Sequence, residues 1–202
     1  MSVYKLGLTG SIGMGKSTTV DMFREAGVPV FDSDAVVHAL YGPGGDALPA
    51  MTQAFPDCIE DGVVSRTRLS AHLAENPADF DRLNAIVHPL VAEKRAEFLR
   101  QAEADNAPLV VFDIPLLFET GSDRMVDGIL VVTAPENVQR ERVLSRPGMT
   151  PSRLDQILAR QTPDDEKRRR ADFIIDTSKG MASARKSVEE LIAKLKPDSK
   201  PA

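Results

Sequence analysis

The sequence predicts an α/β fold, a doubly wound parallel five-stranded sheet interrupted by a helical insertion. Three observations predict it. Short runs rich in Val, Ile, Leu and Phe recur at Lys5–Thr9, Val28–Asp32, Leu109–Asp113, Gly128–Thr133 and Phe173–Asp176, and runs apolar throughout suit parallel strands covered on both faces. Helical spacing fills intervals between them, at Ser17–Glu25, Pro135–Ser145 and Ala182–Lys194, which is the alternation of a doubly wound sheet. The first strand also runs straight into Gly10-Ser11-Ile12-Gly13-Met14-Gly15-Lys16-Ser17, a G-x-x-x-x-G-K-S phosphate-binding loop with a strand before it and a helix after it.

That loop is the strongest single signal in the chain. Its glycines let the backbone wrap tightly enough to aim successive N–H groups at phosphate oxygens, Lys16 reaches the terminal phosphates, and the Ser17 hydroxyl is a ligand for Mg²⁺. The helix starting near Lys16 adds the positive end of its dipole. A chance glycine-rich turn is the bland alternative in a chain with 13 Gly in 202 residues, but it does not account for the flanking strand and helix.

The second strand ends in Asp32-Ser33-Asp34. Carboxylates at a strand end beside a phosphate loop can orient Mg²⁺ or take a proton from an attacking hydroxyl. One of the pair can equally serve as N-cap of a helix over Ala35–Tyr41. About 75 residues then separate the second and third strands, far more than the dozen or so that a crossover needs. Helical spacing at Ala47–Phe55, Arg66–Glu75, Pro77–Val87 and Leu90–Ala104, with breakers at Gly42-Pro43-Gly44-Gly45, Asp61-Gly62, Asn76-Pro77 and His88-Pro89, predicts a helical insertion. Pro89 reads as the first residue of the helix that continues through Arg100. His88, by itself, reads as structural.

The third strand ends in Phe112-Asp113-Ile114-Pro115-Leu116-Leu117-Phe118-Glu119. Apolar residues closing on Asp113 resemble the second acidic motif of phosphate-loop enzymes, whose carboxylate holds Mg²⁺ directly or through water. Leu116, Leu117 and Phe118 form an apolar patch that can be core or ligand wall, and Glu119 can cap or ligate. After the fourth strand comes a cationic stretch: Arg140, Arg142, Arg146, Arg153, Arg160, then Lys167-Arg168-Arg169-Arg170. Most of it reads as solvated helix surface. The breaker-rich Ser145–Pro151 turn between two helices, however, has the build of a mobile lid, and lid arginines can neutralise charge on a transferring phosphoryl group. The Lys196–Ala202 tail, with two prolines, reads as frayed.

Composition bounds the partners. A formal net charge of −5, from 25 basic and 30 acidic side chains, argues against a nucleic-acid binder working through a broad basic surface. No apolar run approaches the ~20 residues of a membrane span. The lone Cys58 forms no internal disulfide, His38, His72 and His88 lack zinc-site spacing, and the short segment before the first strand leaves no room for a leader. A cytoplasmic protein without membrane or nucleic-acid partners is expected, its oligomeric state left open.

In order and spacing, the phosphate loop, Asp-x-Asp, His88-Pro89-Leu90-Val91, the Asp113–Glu119 string, a lid arginine followed by Arg160-Gln161, and Ala171-Asp172-Phe173-Ile174-Ile175 resemble the dephospho-CoA kinase family from Tyr4 to about Leu195. The Asp113–Glu119 string discriminates best, since phosphate loops occur in many unrelated activities. The resemblance implies a sheet of the P-loop NTPase and nucleoside monophosphate kinase type, with a helical acceptor-binding insertion and a helical lid. It divides the chain into a nucleotide-binding core (1–33, 107–140 and 171–202), an insertion (34–106) and a lid region (141–170). It implies transfer of the γ-phosphoryl group of ATP, with Mg²⁺, to the ribose 3′-hydroxyl of dephospho-CoA, both substrates being small molecules. Gly10, Gly13, Met14, Gly15, Lys16, Ser17, Thr18 and Arg142 would hold the nucleotide, and Ser17 and Asp113 the metal. Asp34 would take the proton, with Lys16 and Arg146 completing the catalytic set. Asp32, Asp34, His88, Pro89, Leu116, Leu117, Phe118 and Glu119 would bind the acceptor. The chain departs from the family pattern in having Ser11 where Gly is usual, and Asp176-Thr177-Ser178 where an Asn often stands near the adenine. Two rivals are a nucleoside monophosphate kinase, which shares core and lid, and a non-catalytic nucleotide switch, which needs neither acceptor base nor lid arginine.

Overall fold

The computed structural model describes residues 3–196; residues 1–2 and 197–202, and with them most of the tail read as frayed, lie outside the described residues. The chain divides into two compact units, one made of residues 1–31 and 102–202 and the other of residues 32–101.

The first unit is built on a five-stranded sheet. Its strands are β1 (Tyr4–Thr9), β2 (Val30–Asp32), β5 (Leu109–Asp113), β6 (Gly128–Thr133) and β7 (Phe173–Asp176), in the order β2-β5-β1-β6-β7. β1 runs parallel to β5 and β6, and β6 parallel to β7. Every residue of β5 is buried, as an apolar run sandwiched between two layers must be. On one face α1 (Lys16–Glu25) and α9 (Met181–Leu195) pack Val20, Met22, Phe23, Val188, Leu191 and Ile192 onto Leu6, Leu8, Val111, Leu130 and Ile175. The opposite face carries Leu117, Phe118 and Val131. α6 (Glu136–Leu144), α7 (Pro151–Leu158) and α8 (Asp164–Arg169) follow β6.

Strand alternation sends Leu6 and Leu8 to the first face, so Gly7 faces the second. A β-carbon on Gly7 would lie 3.2 Å from Leu117 Cδ1, and Leu117 is fully buried. The third-strand string therefore folds back onto the sheet, where burying Leu117 contributes roughly 1.5–3 kcal/mol. The register sets Leu8 beside Asp113, Thr9 beside Val131 and Thr133 beside Asp176. The carboxyl ends of these strands thus share one edge, the usual ligand edge of a doubly wound sheet.

The second unit has its own core. α2 (Ser33–Tyr41), α3 (Leu48–Ala54), α4 (Arg66–Glu75) and most of α5 (Asp79–Ala104) enclose Leu40, Met51, Phe55, Val64, Leu69, Leu73 and Val87. Cys58 is packed among them, and burial pushes its thiol pKa up. A short antiparallel pair, β3 (Ile59–Glu60) and β4 (Val63–Val64), joins across Asp61-Gly62. Both turn residues have positive φ, 50° and 77°, the arrangement of a two-residue hairpin, so what the sequence marked as a break is a turn between strands.

The helix expected to start at Pro89 does not start there. α5 runs unbroken from Asp79 to Ala104 with Pro89 inside it. A proline in a helix interior removes one N–H bond and costs about 3 kcal/mol. The apolar stripe explains why the helix survives: Leu83, Ile86, Val87, Leu90 and Val91 all pack on the same core, so their helical spacing continues across the proline.

Candidate active site

The phosphate loop lies between β1 and α1, at the strand-end edge. Gly13 and Gly15 adopt left-handed backbone, φ 79° and 89°, which glycine enters without the steric penalty of other residues. Gly13 is doubly constrained, because a β-carbon there would stand 2.5 Å from Val143 Cγ2 and 3.1 Å from the Gln139 carbonyl oxygen. Ser17 and Thr18 are exposed in the first turn of α1, where N–H groups lack helical partners.

Lys16 Nζ donates to Asp113 Oδ1 at 2.6 Å. The two side chains are 18% and 9% exposed, a partly dehydrated pair in which electrostatic fields are stronger than in open water. The loop lysine and the strand-end acid, singled out 97 residues apart in the sequence, therefore share one place. A cation, a carboxylate, a serine hydroxyl and loop N–H groups together suit a polyphosphate with a hard divalent cation.

A cavity of about 300 Å³ opens beside the loop, lined by Gly13, Thr18, Arg142, Arg146, Thr177 and Met181 among others. Arg142 is fixed in it: Nη1 donates to Thr177 Oγ1 at 2.8 Å and Nη2 to the Thr177 carbonyl at 2.9 Å. Thr177 Oγ1 in turn donates to the Met14 carbonyl at 2.9 Å, linking the arginine to the loop. Arg146 is exposed on the turn after α6. Asp176, next to Thr177, has its carboxyl held below the usual range, chiefly by the Ser178 hydroxyl and backbone N–H. A second cavity of about 730 Å³ touches the loop at Ser11 and Met14. Its rim includes Glu136, Asp164, Asp165, Arg168 and Asp176, and Asp164 and Asp165 are paired with Arg168 and Arg169.

Comparison with known proteins decides the family. The family model described as dephospho-CoA kinase matches residues 4–183. The chain belongs to the dephospho-CoA kinase family. It is 55% identical, over 95% of its length and 94% of the relative's, to the dephospho-CoA kinase of Rhizobium etli. A crystal structure of TT1252 from Thermus thermophilus superposes with a TM-score of 0.84 at 31% identity, covering 98% of this chain and 100% of that one. The dephospho-CoA kinase from Campylobacter jejuni shares the fold, with a TM-score of 0.72 at 21% identity over 95% and 96% of the two chains.

Within this family member, two of the residues named for the acceptor wall are placed otherwise than a ligand wall requires. Leu117 is fully buried and Phe118 is 7% exposed, both in the second-face core. Arg170 stacks over the Phe118 ring at 4.2 Å, closing it further. Only Leu116 of the three offers surface, at 42% exposure. The reason is the one given by Gly7: the segment after β5 must cover the sheet face before it can cover anything else. Glu119 is also engaged. It accepts from the Thr162 N–H at 2.6 Å and lies 3.3 Å from the fully buried Lys167 Nζ. Partial burial alone would raise the Glu119 carboxyl, but those N–H groups and the lysine outweigh it and hold the pKa below 4.5.

In the second unit, Asp32 is the member of the acidic pair that caps: its Oδ1 accepts from the Ala35 N–H at 2.9 Å. Asp34 stands exposed in the first turn of α2, and His88 and Pro89 are exposed near the middle of α5. Thr177 was read only as part of the stretch that departs from the family pattern near the adenine, and Gln139 was not anticipated as part of the site. Nothing in a single sequence marks an isolated Thr or Gln as a loop support; only the fold brings them to the phosphate loop.

Proposed function

We propose that this protein transfers the γ-phosphoryl group of ATP to the ribose 3′-hydroxyl of dephospho-CoA, giving CoA and ADP. The observation that carries the reading is the Lys16–Asp113 pair at the mouth of a phosphate-binding loop in a chain of this family. Phosphoryl transfer asks little covalent chemistry of a protein; positioning and charge neutralisation supply most of the acceleration. Lys16 neutralises the terminal phosphates, and the loop amides from Gly13 to Thr18, with the N-terminus of α1, hold them in line. Arg142 lines the base side of the nucleotide cavity, and Arg146 closes over the phosphates from the lid turn.

The residues fit a magnesium ion by donor chemistry, since the Ser17 hydroxyl and the Asp113 carboxylate are hard oxygen ligands. No group of three or more His, Cys, Asp or Glu suited to a metal gathers among the described residues. The ion would therefore complete its shell with phosphate and water oxygens, as Mg²⁺ usually does. Bound there, it supplies charge neutralisation on the phosphates.

Asp34 takes the proton of the attacking 3′-hydroxyl. It is supported by its place two residues past the end of β2, with Asp32 already used as the cap. In the first unit the exposed Leu116 offers apolar surface of the kind a long pantetheine arm needs. A small dianionic acceptor would gain little from apolar surface.

The test is an acceptor panel. Dephospho-CoA should be phosphorylated with a specificity constant at least about a hundredfold above AMP, CMP or dTMP, and phosphorus NMR should show a new monoester on the 3′ oxygen. An anhydride signal on a nucleoside diphosphate, with dephospho-CoA untouched, would overturn the reading in favour of a monophosphate kinase.

A further inference from the structure

One residue of the phosphate loop is gripped from both sides. The Ile12 N–H donates to Gln161 Oε1 at 3.2 Å, and Gln139 Nε2 donates to the Ile12 carbonyl at 2.8 Å. Gln139 comes from α6 and is 4% exposed. Gln161 comes from the segment between α7 and α8. Which amide atom faces Ile12 is not a matter of choice: a backbone N–H only donates and a backbone carbonyl only accepts, so Gln161 must present oxygen and Gln139 nitrogen.

The consequence follows from peptide geometry. The Ile12 N–H belongs to the plane shared with Ser11, and the Ile12 carbonyl to the plane shared with Gly13. Each trans peptide is rigid, with its C=O and N–H pointing in opposite directions. Holding both planes fixes φ and ψ of Ile12. Drawing the Ile12 carbonyl towards α6 points the Gly13 N–H the other way. Drawing the Ile12 N–H towards Gln161 points the Ser11 carbonyl away from it, where it accepts from the Met14 N–H at 3.1 Å. Without such restraints, a loop with glycines at 10, 13 and 15 would lose backbone entropy each time it ordered around a nucleotide. The Gln161 end is itself anchored, because the next N–H, of Thr162, is the one that Glu119 accepts. Three segments remote in sequence, the loop, the string after Asp113 and the lid base, meet at Gln161-Thr162.

The geometry points to Gln139 and Gln161 as positioning residues that pre-set the phosphate loop for nucleotide, one as obligatory donor and the other as obligatory acceptor. This rests on the phosphate-loop reading of Gly10–Ser17. The polarity gives the test. Gln161→Glu keeps an acceptor for the Ile12 N–H, whereas Gln139→Glu puts a carboxylate against the Ile12 carbonyl. Both add one negative charge near the loop, so that shared penalty cancels in the comparison. The KM for ATP should rise about tenfold more in Gln139→Glu than in Gln161→Glu, while kcat at saturating ATP differs little between them. Gln161→Leu supplies a readout independent of catalysis: the Ile12 amide should exchange with solvent faster than in the wild type, while amides of β1 and β5 keep their protection. Should Gln139→Glu not fold, the Gln161→Leu exchange and its ATP KM, about tenfold raised, carry the test alone. Equal KM values for the two Glu variants, or an Ile12 amide unchanged in folded Gln161→Leu, would overturn the clamp. Because the Ile12 exchange is read without any turnover, failure of the clamp and failure of the proposed reaction are told apart.

Discussion

The two units hold their chemistry in different currencies of structure. In the first, the phosphate loop works through backbone: left-handed glycines, N–H groups at the start of α1, and a peptide pair gripped by Gln139 and Gln161. Many side chains there are supports: Lys16 and Asp113 are tied to each other, and Arg142 is tied to Thr177. In the second, the residues with chemistry to offer, Asp34 and His88, are exposed side chains on helices whose buried faces form an ordinary apolar core. A backbone site tolerates little change, because each substitution alters the path of the chain. A side-chain site on a helical scaffold can be rewritten one residue at a time while the core beneath it stays. The difference suits a shared phosphoryl donor on one side and an acceptor particular to the family on the other.

The sharpest way to break this division is to compare one charged residue from each unit. Lys16→Ala should damage both binding and turnover, since in the proposed reading the lysine meets the terminal phosphates in the ground state and during transfer. Loss of a charge-assisted bond predicts roughly a 10- to 100-fold weaker ATP dissociation constant, and kcat should fall by about 10²–10³. Calorimetry with Mg²⁺ present and initial rates with dephospho-CoA measure the two. An unchanged ATP dissociation constant contradicts the phosphate-loop assignment. Asp34→Asn, from the second unit, should separate the two quantities instead. Turnover should fall by about two orders of magnitude or more, as for a lost general base, with ATP affinity close to wild type. Near-normal turnover in folded protein removes the proton from Asp34's account and returns it to Asp32 or to water.

The same division explains what was legible in the sequence. The strands over Leu109–Asp113, Gly128–Thr133 and Phe173–Asp176 emerge with the bounds read from their apolar runs. The first two are buried almost throughout, as parallel strands covered on both faces are, while the third, at the sheet edge, keeps an apolar run although Ile174 is 50% exposed. The loop was legible because only a few residue types can follow its backbone path. The insertion was harder. Its helical stripes over Arg66–Glu75, Pro77–Val87 and Leu90–Ala104 were visible, yet Pro89 was read as a boundary where the helix runs on through it, a local signal overruled by packing. Asp61-Gly62 was read as a break when its residues also spell a hairpin turn. Leu117 and Phe118 were undecided between core and ligand wall, and only the register of Gly7 beneath them settles that they are core. Contacts such as Glu119 with Thr162 and Lys167 join residues 43 and 48 apart, and no single-sequence period encodes them.

The smallest expected effect tests whether that last contact belongs to the rigid side of the comparison. Glu119 is ionised below its ordinary range because the Thr162 N–H and Lys167 favour the charged form over the cost of burial. A carboxyl whose folded pKa is depressed contributes stability that is fully present above its unfolded value, and loses it as pH falls through the folded value. The window therefore opens near 4.5 and extends downward. Glu119→Gln cannot ionise, so it lacks this contribution at every pH. Thermal midpoints of the wild type and Glu119→Gln should stand apart at pH 7, by a few degrees at most for a single partly exposed group, and converge as pH is lowered below 4.5 and through the depressed folded value. A gap that stays constant from pH 7 to 3 would mean that the anchor holds by shape and neutral hydrogen bonding alone. The buried Lys167 would then gain nothing from its partner's charge, and the junction at Thr162 would have to be explained by packing, as in the helical unit.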